Sequence, residues 1–192
     1  NGTLKRYDLA GPTISAYLQQ ASEVERERLE REQDRRHHQP PKPRTNGAIR
    51  ITQVEWLGPD GQPGWTFQSL QPLRLRLHYE TKEPVEAPVF SFLIYRDDGL
   101  YVAGANTYDG AQGSLLPPIC GKGVVEAEIA TPGLAHGRYL LSVGAYVRPD
   151  PPFWADPADF HDRAYRFHIQ SNEYVHGVLA TQARWNLRPV ED

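Results

Sequence analysis

An imidazole, a carboxylate and a guanidinium stand side by side at His161-Asp162-Arg163. Such a trio supplies donors, an acceptor and both signs of charge within one short stretch. That inventory suits acid–base chemistry or the grip of a polyhydroxylated ligand. Just upstream, residues 149–160 form a loop rich in proline and aromatics, with Trp154 at its centre. Further rings and amides gather near predicted strand ends and loops: Trp65, Tyr95, Tyr101, Asn106, Tyr108 and Tyr146. Sugars offer apolar C–H faces that stack on rings, and hydroxyls that pair with Asn, His, Arg and Asp. The candidate ligand-binding set is therefore Trp154, His161, Arg163, Asn106, Tyr101, Tyr95 and Tyr146, read as a glycan platform. Taken singly, Tyr95 and Tyr146 also fit as core rings with a wet hydroxyl. Trp154, between prolines and acidic residues, is the least core-like of the set.

Catalytic readings fare worse. Asp156, Asp159 and Asp162 invite comparison with glycosidases, which need two carboxylates at a fixed separation. A flexible loop does not hold that separation, so no catalytic residue is assigned. Gly121-Lys122-Gly123 lacks the earlier glycine and the following Ser or Thr of a phosphate-binding loop. Neither a G-x-S-x-G elbow nor H-E-x-x-H occurs. Asp97-Asp98-Gly99 has too few oxygen ligands for calcium and reads as a hairpin turn. His37 and His38 have no third ligand nearby. The single cysteine, Cys120, excludes an intrachain disulfide and a Cys-based zinc site, and reads as a partly buried small hydrophobe. No cofactor and no metal are expected.

The elements that must position these groups are strands. In 165–170, Tyr165, Phe167 and Ile169 alternate with Arg166, His168 and Gln170, the period of a half-buried strand; 161–163 sit at its mouth. Leu73, Leu75, Leu77 and Tyr79 alternate with Arg74, Arg76 and His78. The run 48–57 is closed by the turn Pro59-Asp60-Gly61. Residues 88–96 are apolar on both faces and belong in the middle of a sheet, turning at Asp97-Asp98-Gly99 into 100–105. Strands follow at 124–129, 138–147 and 161–169, with a last one at 177–185, where Trp185 would seal it against its neighbour. Seven or eight strands over about 140 residues predict a mainly β protein, an antiparallel β-sandwich.

Ahead of it the texture differs. Gly11-Pro12-Thr13 starts a helix carrying Ile14, Tyr17, Leu18 and Ala21 at helical spacing, and 22–36 is almost all Glu and Arg, a solvated helix. Residues 37–46 (HHQPPKPRTN) form a Pro-rich linker, and the sandwich occupies 47–192. A net charge of −3 argues against nucleic acid as a partner. No apolar run is long enough to span a bilayer and no signal peptide opens the chain. With no methionine, even at position 1, the sequence reads as a piece excised from a longer chain.

The β portion resembles the C-terminal domain of the ATPase subunit of O-antigen polysaccharide ABC exporters, the Wzt-type domain, over about residues 47–185. The resemblance is carried, in order, by 49–57 with Asp60-Gly61, by 73–79, and by Pro88-Val89-Phe90 running to Arg96-Asp97-Asp98-Gly99. It continues through Gly104-Ala105-Asn106-Thr107, Gly137-Arg138-Tyr139-Leu140-Leu141-Ser142-Val143 and His161-Asp162-Arg163-Ala164-Tyr165-Arg166-Phe167. Asn1-Gly2-Thr3-Leu4 through Gly11-Pro12-Thr13-Ile14-Ser15-Ala16-Tyr17-Leu18 is similar to the tail of such transporters' nucleotide-binding domain, so 1–36 would be that tail plus a charged helix. The resemblance implies an Ig-like or jelly-roll sandwich in the cytoplasm, peripheral to the inner membrane through the transporter. It also implies recognition of the non-reducing end of a lipid-linked glycan, and a homodimer that exchanges strand 177–185 or forms without exchange. The transporter's transmembrane subunit would be a partner. The family has no sharp binding motif, so the site set rests on side-chain chemistry. Two other classes stand beside it: a glycan-processing enzyme, and a purely structural dimerisation domain.

Overall fold

Alternation decides most of the strands. In β4 (Leu73–Thr81), Leu73, Leu75 and Leu77 are buried while Arg74, Arg76 and His78 are only half covered, as the two faces of a pleated strand require. The computed structural model describes residues 44–108, 115–129, 133–148, 153–171 and 177–179. The expected helix and most of the linker, and the strand 177–185 beyond its first three residues, lie outside the described residues.

Among the described residues the remaining strands are β1 (Arg44–Thr45), β2 (Ile49–Leu57), β3 (Thr66–Gln68), β5 (Val89–Arg96), β6 (Tyr101–Asn106), β7 (Lys122–Ile129), β8 (Gly137–Tyr146) and β9 (Asp159–Gln170). They form two sheets. The larger runs β1-β9-β8-β5-β6, with β3 also on β9, and the smaller runs β2-β4-β7. The core lies between them: Trp56 packs on Phe67 and Phe167, and Leu75, Leu77, Phe90, Ile94, Leu141 and Val143 fill the rest. The fold is the expected β-sandwich. β5 lies inside its sheet, between β8 and β6, as its two apolar faces predict.

Several local expectations change. The end of the stretch read as linker is part of the larger sheet, because Thr45 Oγ1 donates to Ala158 O (2.6 Å) and β1 pairs with β9. β3 is a short strand without a clear alternation signal, and it pairs with β9 in parallel. β1 and β3 thus share the edge of β9 away from β8, one at each end. Cys120 is exposed rather than partly buried, since it lies in the irregular segment leading into β7. His168, expected on the wet face of its strand, is buried with its ring edge-on to His136 at 5.1 Å. Leu179 makes an isolated bridge to Leu134, where the last strand was expected to begin. Asp97-Asp98-Gly99 is the hairpin turn read from sequence: Arg96 and Leu100 N–H bond Asp98, Arg138 bonds Asp97, and Gly99 has φ 92°.

Candidate functional site

The trio that opens the sequence argument does not stay together. β9 begins at Asp159, so His161, Asp162 and Arg163 lie within the strand rather than at its mouth. Opposite β8 the ladder steps from Val143↔His161 to Leu141↔Tyr165, which leaves Asp162, Arg163 and Ala164 facing Ser142 alone. This is a bulge, and it is pinned. Arg163 N–H donates to Ser142 Oγ (2.7 Å), and Ser142 O–H donates to Asp162 Oδ1 (3.2 Å). Arg163 sits at φ 46°, a left-handed conformation unusual for a residue with a Cβ. The bulge sends His161 to one face of the strand and Arg163 to the other.

His161 goes inward and is 8 % exposed. Asp159, fully buried, accepts Ile51 N–H of the smaller sheet at Oδ2 (2.7 Å). The His161 Nε2–H points at the same oxygen (3.3 Å), so Nδ1 accepts the Tyr165 O–H at 2.6 Å. Tyr165 in turn lies parallel to Trp65, with ring centroids 5.9 Å apart and planes 10° apart. Burial pushes the Tyr165 phenol well above its ordinary value, and the Asp159 carboxylate pushes the same way. Both nitrogens of His161 are therefore occupied inside the protein. Its role in this arrangement is to brace Asp159, the residue whose carboxylate ties β9 to β2.

Arg163 goes outward. Its guanidinium carbon lies 4.8 Å from the centroid of the Tyr95 ring, within cation–π range, and its Nε lies 3.5 Å from Asp162 Oδ1. Tyr95 is cross-strand partner to Tyr101, and their rings meet at 5.6 Å. Burial raises the Tyr95 phenol while the adjacent Arg163 cation opposes that rise. Tyr101 is 55 % exposed and folds over Gly104, where a Cβ would lie 2.8 Å from its hydroxyl oxygen. Tyr95, Tyr101 and Arg163 are thus brought together on the outer face of the larger sheet.

The other expected residues occupy the same sheet at a distance or flank it. Register places Gly144, Ser91 and Asn106 in one row across β8, β5 and β6, and Ser142, Leu93 and Gly104 in the next. These two rows separate the Tyr95–Tyr101 end from Tyr146, which pairs with Val89 and reaches back over Gly144, where a Cβ would lie 2.7 Å from the Tyr146 hydroxyl oxygen. From Val89 to Tyr95 the strand advances about 20 Å. Asn106 Oδ1 accepts Tyr108 N–H (2.9 Å) and is half-buried at the sheet edge. Tyr146 is 5 % exposed; burial raises its phenol, against an opposite pull from Ser91. Trp154 lies on a 3-10 turn, Phe153–Ala155, and is 62 % exposed.

Asp159 and Asp162 do not form a hydrolytic pair. Asp159 faces the core and Asp162 faces solvent on the other side of β9, so these carboxylates share no cleft. Among the described residues no group of three or more His, Cys, Asp or Glu is placed to hold a metal ion. A cavity of about 100 Å³ between the sheets is lined by Leu75, Leu77, Phe90, Phe92, Val125 and Ala127 among others. It is apolar and below the roughly 300–1,000 Å³ of ordinary ligand pockets. Sequence reasoning missed the role of Asp162 and Ser142 in shaping the outer face. The only signal was the H-D-R run itself, and no pattern marks a bulge in it.

Comparison with known proteins agrees with this architecture. The family model of the Wzt C-terminal domain matches residues 42–181. The crystal structure of the C-terminal domain of Wzt superposes with a TM-score of 0.69 at 19 % identity, covering 79 % of this chain and 94 % of that one. Among curated proteins none matches. Among the described residues no helix is long and apolar enough to cross a membrane.

Proposed function

The chain belongs to the Wzt C-terminal domain family, and from that premise we propose that it is a non-catalytic module binding the O-antigen polysaccharide. Its task would be to take the non-reducing end of the lipid-linked glycan for ABC-transporter export. The observation that carries this reading is the outer face of the larger sheet, where exposed Tyr101 stands beside Arg163 and Asp162, with Asn106 at the same edge. A ring platform beside a fixed donor and a fixed acceptor is what a polyol needs. Partners on this reading are a second copy of the chain and the transporter's transmembrane subunit, with the module peripheral to the inner membrane.

Titration of the polysaccharide into the wild-type chain, Tyr101→Ala and Arg163→Ala tests it. Both variants are expected to weaken binding by roughly tenfold, as loss of a charge-assisted hydrogen bond or a stacking ring does, with unfolding midpoints close to wild type. Wild-type affinity in both, or no binding by the parent chain, would overturn the reading.

A further inference from the structure

Arginine is a costly residue for the position it holds. At φ 46° a glycine avoids the Cβ clash that Arg163 accepts, and the bulge needs only the backbone N–H that meets Ser142. The side chain is nonetheless held in place, with its guanidinium against the Tyr95 ring and its Nε beside Asp162. The two charged side chains are about half exposed, 49 % and 56 %, and open onto the same face as Tyr101.

Resting on the glycan-binding reading above, we propose that Asp162 and Arg163 form a subsite for an unsubstituted vicinal diol of a neutral sugar. Each of two adjacent ring hydroxyls can both donate and accept. The carboxylate accepts a hydrogen bond from one, and the guanidinium donates one to the other. An anionic substituent is disfavoured, because Asp162 is adjacent and already shares the cation. Tyr95 is a positioning residue: its ring fixes the guanidinium, while Tyr101 beside it supplies the exposed stacking surface. Ser142 completes the device by fixing both ends of the bulge, receiving Arg163 N–H and donating to Asp162.

The test uses the 192-residue chain, isotopically labelled, followed by NMR during titration. The probes are the methyl pyranosides of mannose, galactose, glucose and rhamnose, their per-O-methylated forms, and methyl glucuronide. The free pyranosides are expected to shift the Arg163 Nε–H and the Asp162 and Tyr101 signals, and per-O-methylation to abolish those shifts. Arg163→Gly is expected to weaken binding roughly tenfold or more, the loss expected for a charge-assisted hydrogen bond, without lowering the melting temperature. Tyr95→Phe retains binding and Tyr95→Leu loses it as Arg163→Gly does. Glucuronide binding more tightly than every neutral probe would replace the diol by an anion and overturn the proposal. Shifts at Tyr101 and Asn106 without any at Asp162 and Arg163 would overturn it while leaving the glycan face standing. Silence across the whole face, with the polysaccharide as with the probes, would remove both.

Discussion

Truncating Asp159 should reveal how the two sheets are latched. Asp159 is fully buried, and its Oδ2 is the acceptor of Ile51 N–H in the opposite sheet (2.7 Å). Asp159→Ala strands that N–H in the interior, which costs about 1–3 kcal/mol. It also removes the oxygen facing His161 Nε2, a longer contact at 3.3 Å that adds less. Against this, Asp159 Oδ1 is buried with no hydrogen bond, and the substitution relieves that burden. The net expectation is a loss of about 2 kcal/mol, or roughly 4–8 °C in melting temperature for a domain of this size. Asp159→Asn keeps a carbonyl oxygen for Ile51 N–H and should lose only about 1 kcal/mol. Urea unfolding followed by circular dichroism measures both, and a cycle with His161→Ala should show coupling above about 0.5 kcal/mol. Equal stability of the Ala and Asn variants, or an Ala variant within about 1 kcal/mol of wild type, would refute the latch.

Tyr165→Phe removes the O–H that His161 Nδ1 accepts and should cost about 1 kcal/mol at neutral pH. Because the folded protein holds the Tyr165 phenol above its ordinary value of 10.0, the stability linked to it is complete below that pH and is lost as pH rises beyond it. The wild-type chain should therefore weaken above pH 10.0 more steeply than Tyr165→Phe, and parallel alkaline melting curves would count against the buried hydroxyl. Gly104→Ala places a Cβ 2.8 Å from both Phe92 O and the Tyr101 hydroxyl, so the Tyr101 ring must move off and the β5–β6 backbone must also give. We expect about 1–3 kcal/mol of destabilisation with weaker glycan binding, whereas unchanged unfolding and unchanged titration would show the edge strand yielding freely. Trp154→Ala, at a ring 62 % exposed, should stay within about 0.5 kcal/mol of wild-type stability, read by thermal melting.

What could be read from the sequence follows from which forces are local. Leu73, Leu75 and Leu77 against Arg74, Arg76 and His78 announce a half-buried strand, because burial on one face is a period-two property of the chain itself. Asp97-Asp98-Gly99 announces its turn for a similar reason: Gly99 relieves a positive φ and Asp98 bonds two residues on. β3 gives no such signal. At three residues it exists because β9 offers it a free edge, which is a tertiary fact. His168 fails for the converse reason, its alternation being right and its neighbour, His136, being supplied by a distant segment.

The candidate site is the sharper case. Chemistry alone grouped His161 with Arg163, and strict alternation would have kept them on one face, two residues apart. Only the bulge opposite Ser142 separates them, and a bulge is written in the pairing of β8 with β9 rather than in either strand. Its consequence is a division of labour within one short run. The imidazole becomes part of the latch that Ile51 and Asp159 complete, while the guanidinium is carried over Tyr95 onto the open face. Had β9 run straight, the same residues would have competed for the same side of the sheet. Any relative that keeps the His and the Arg but loses the bulge should therefore lose either the latch or the outer cluster, since an unbroken strand cannot present both.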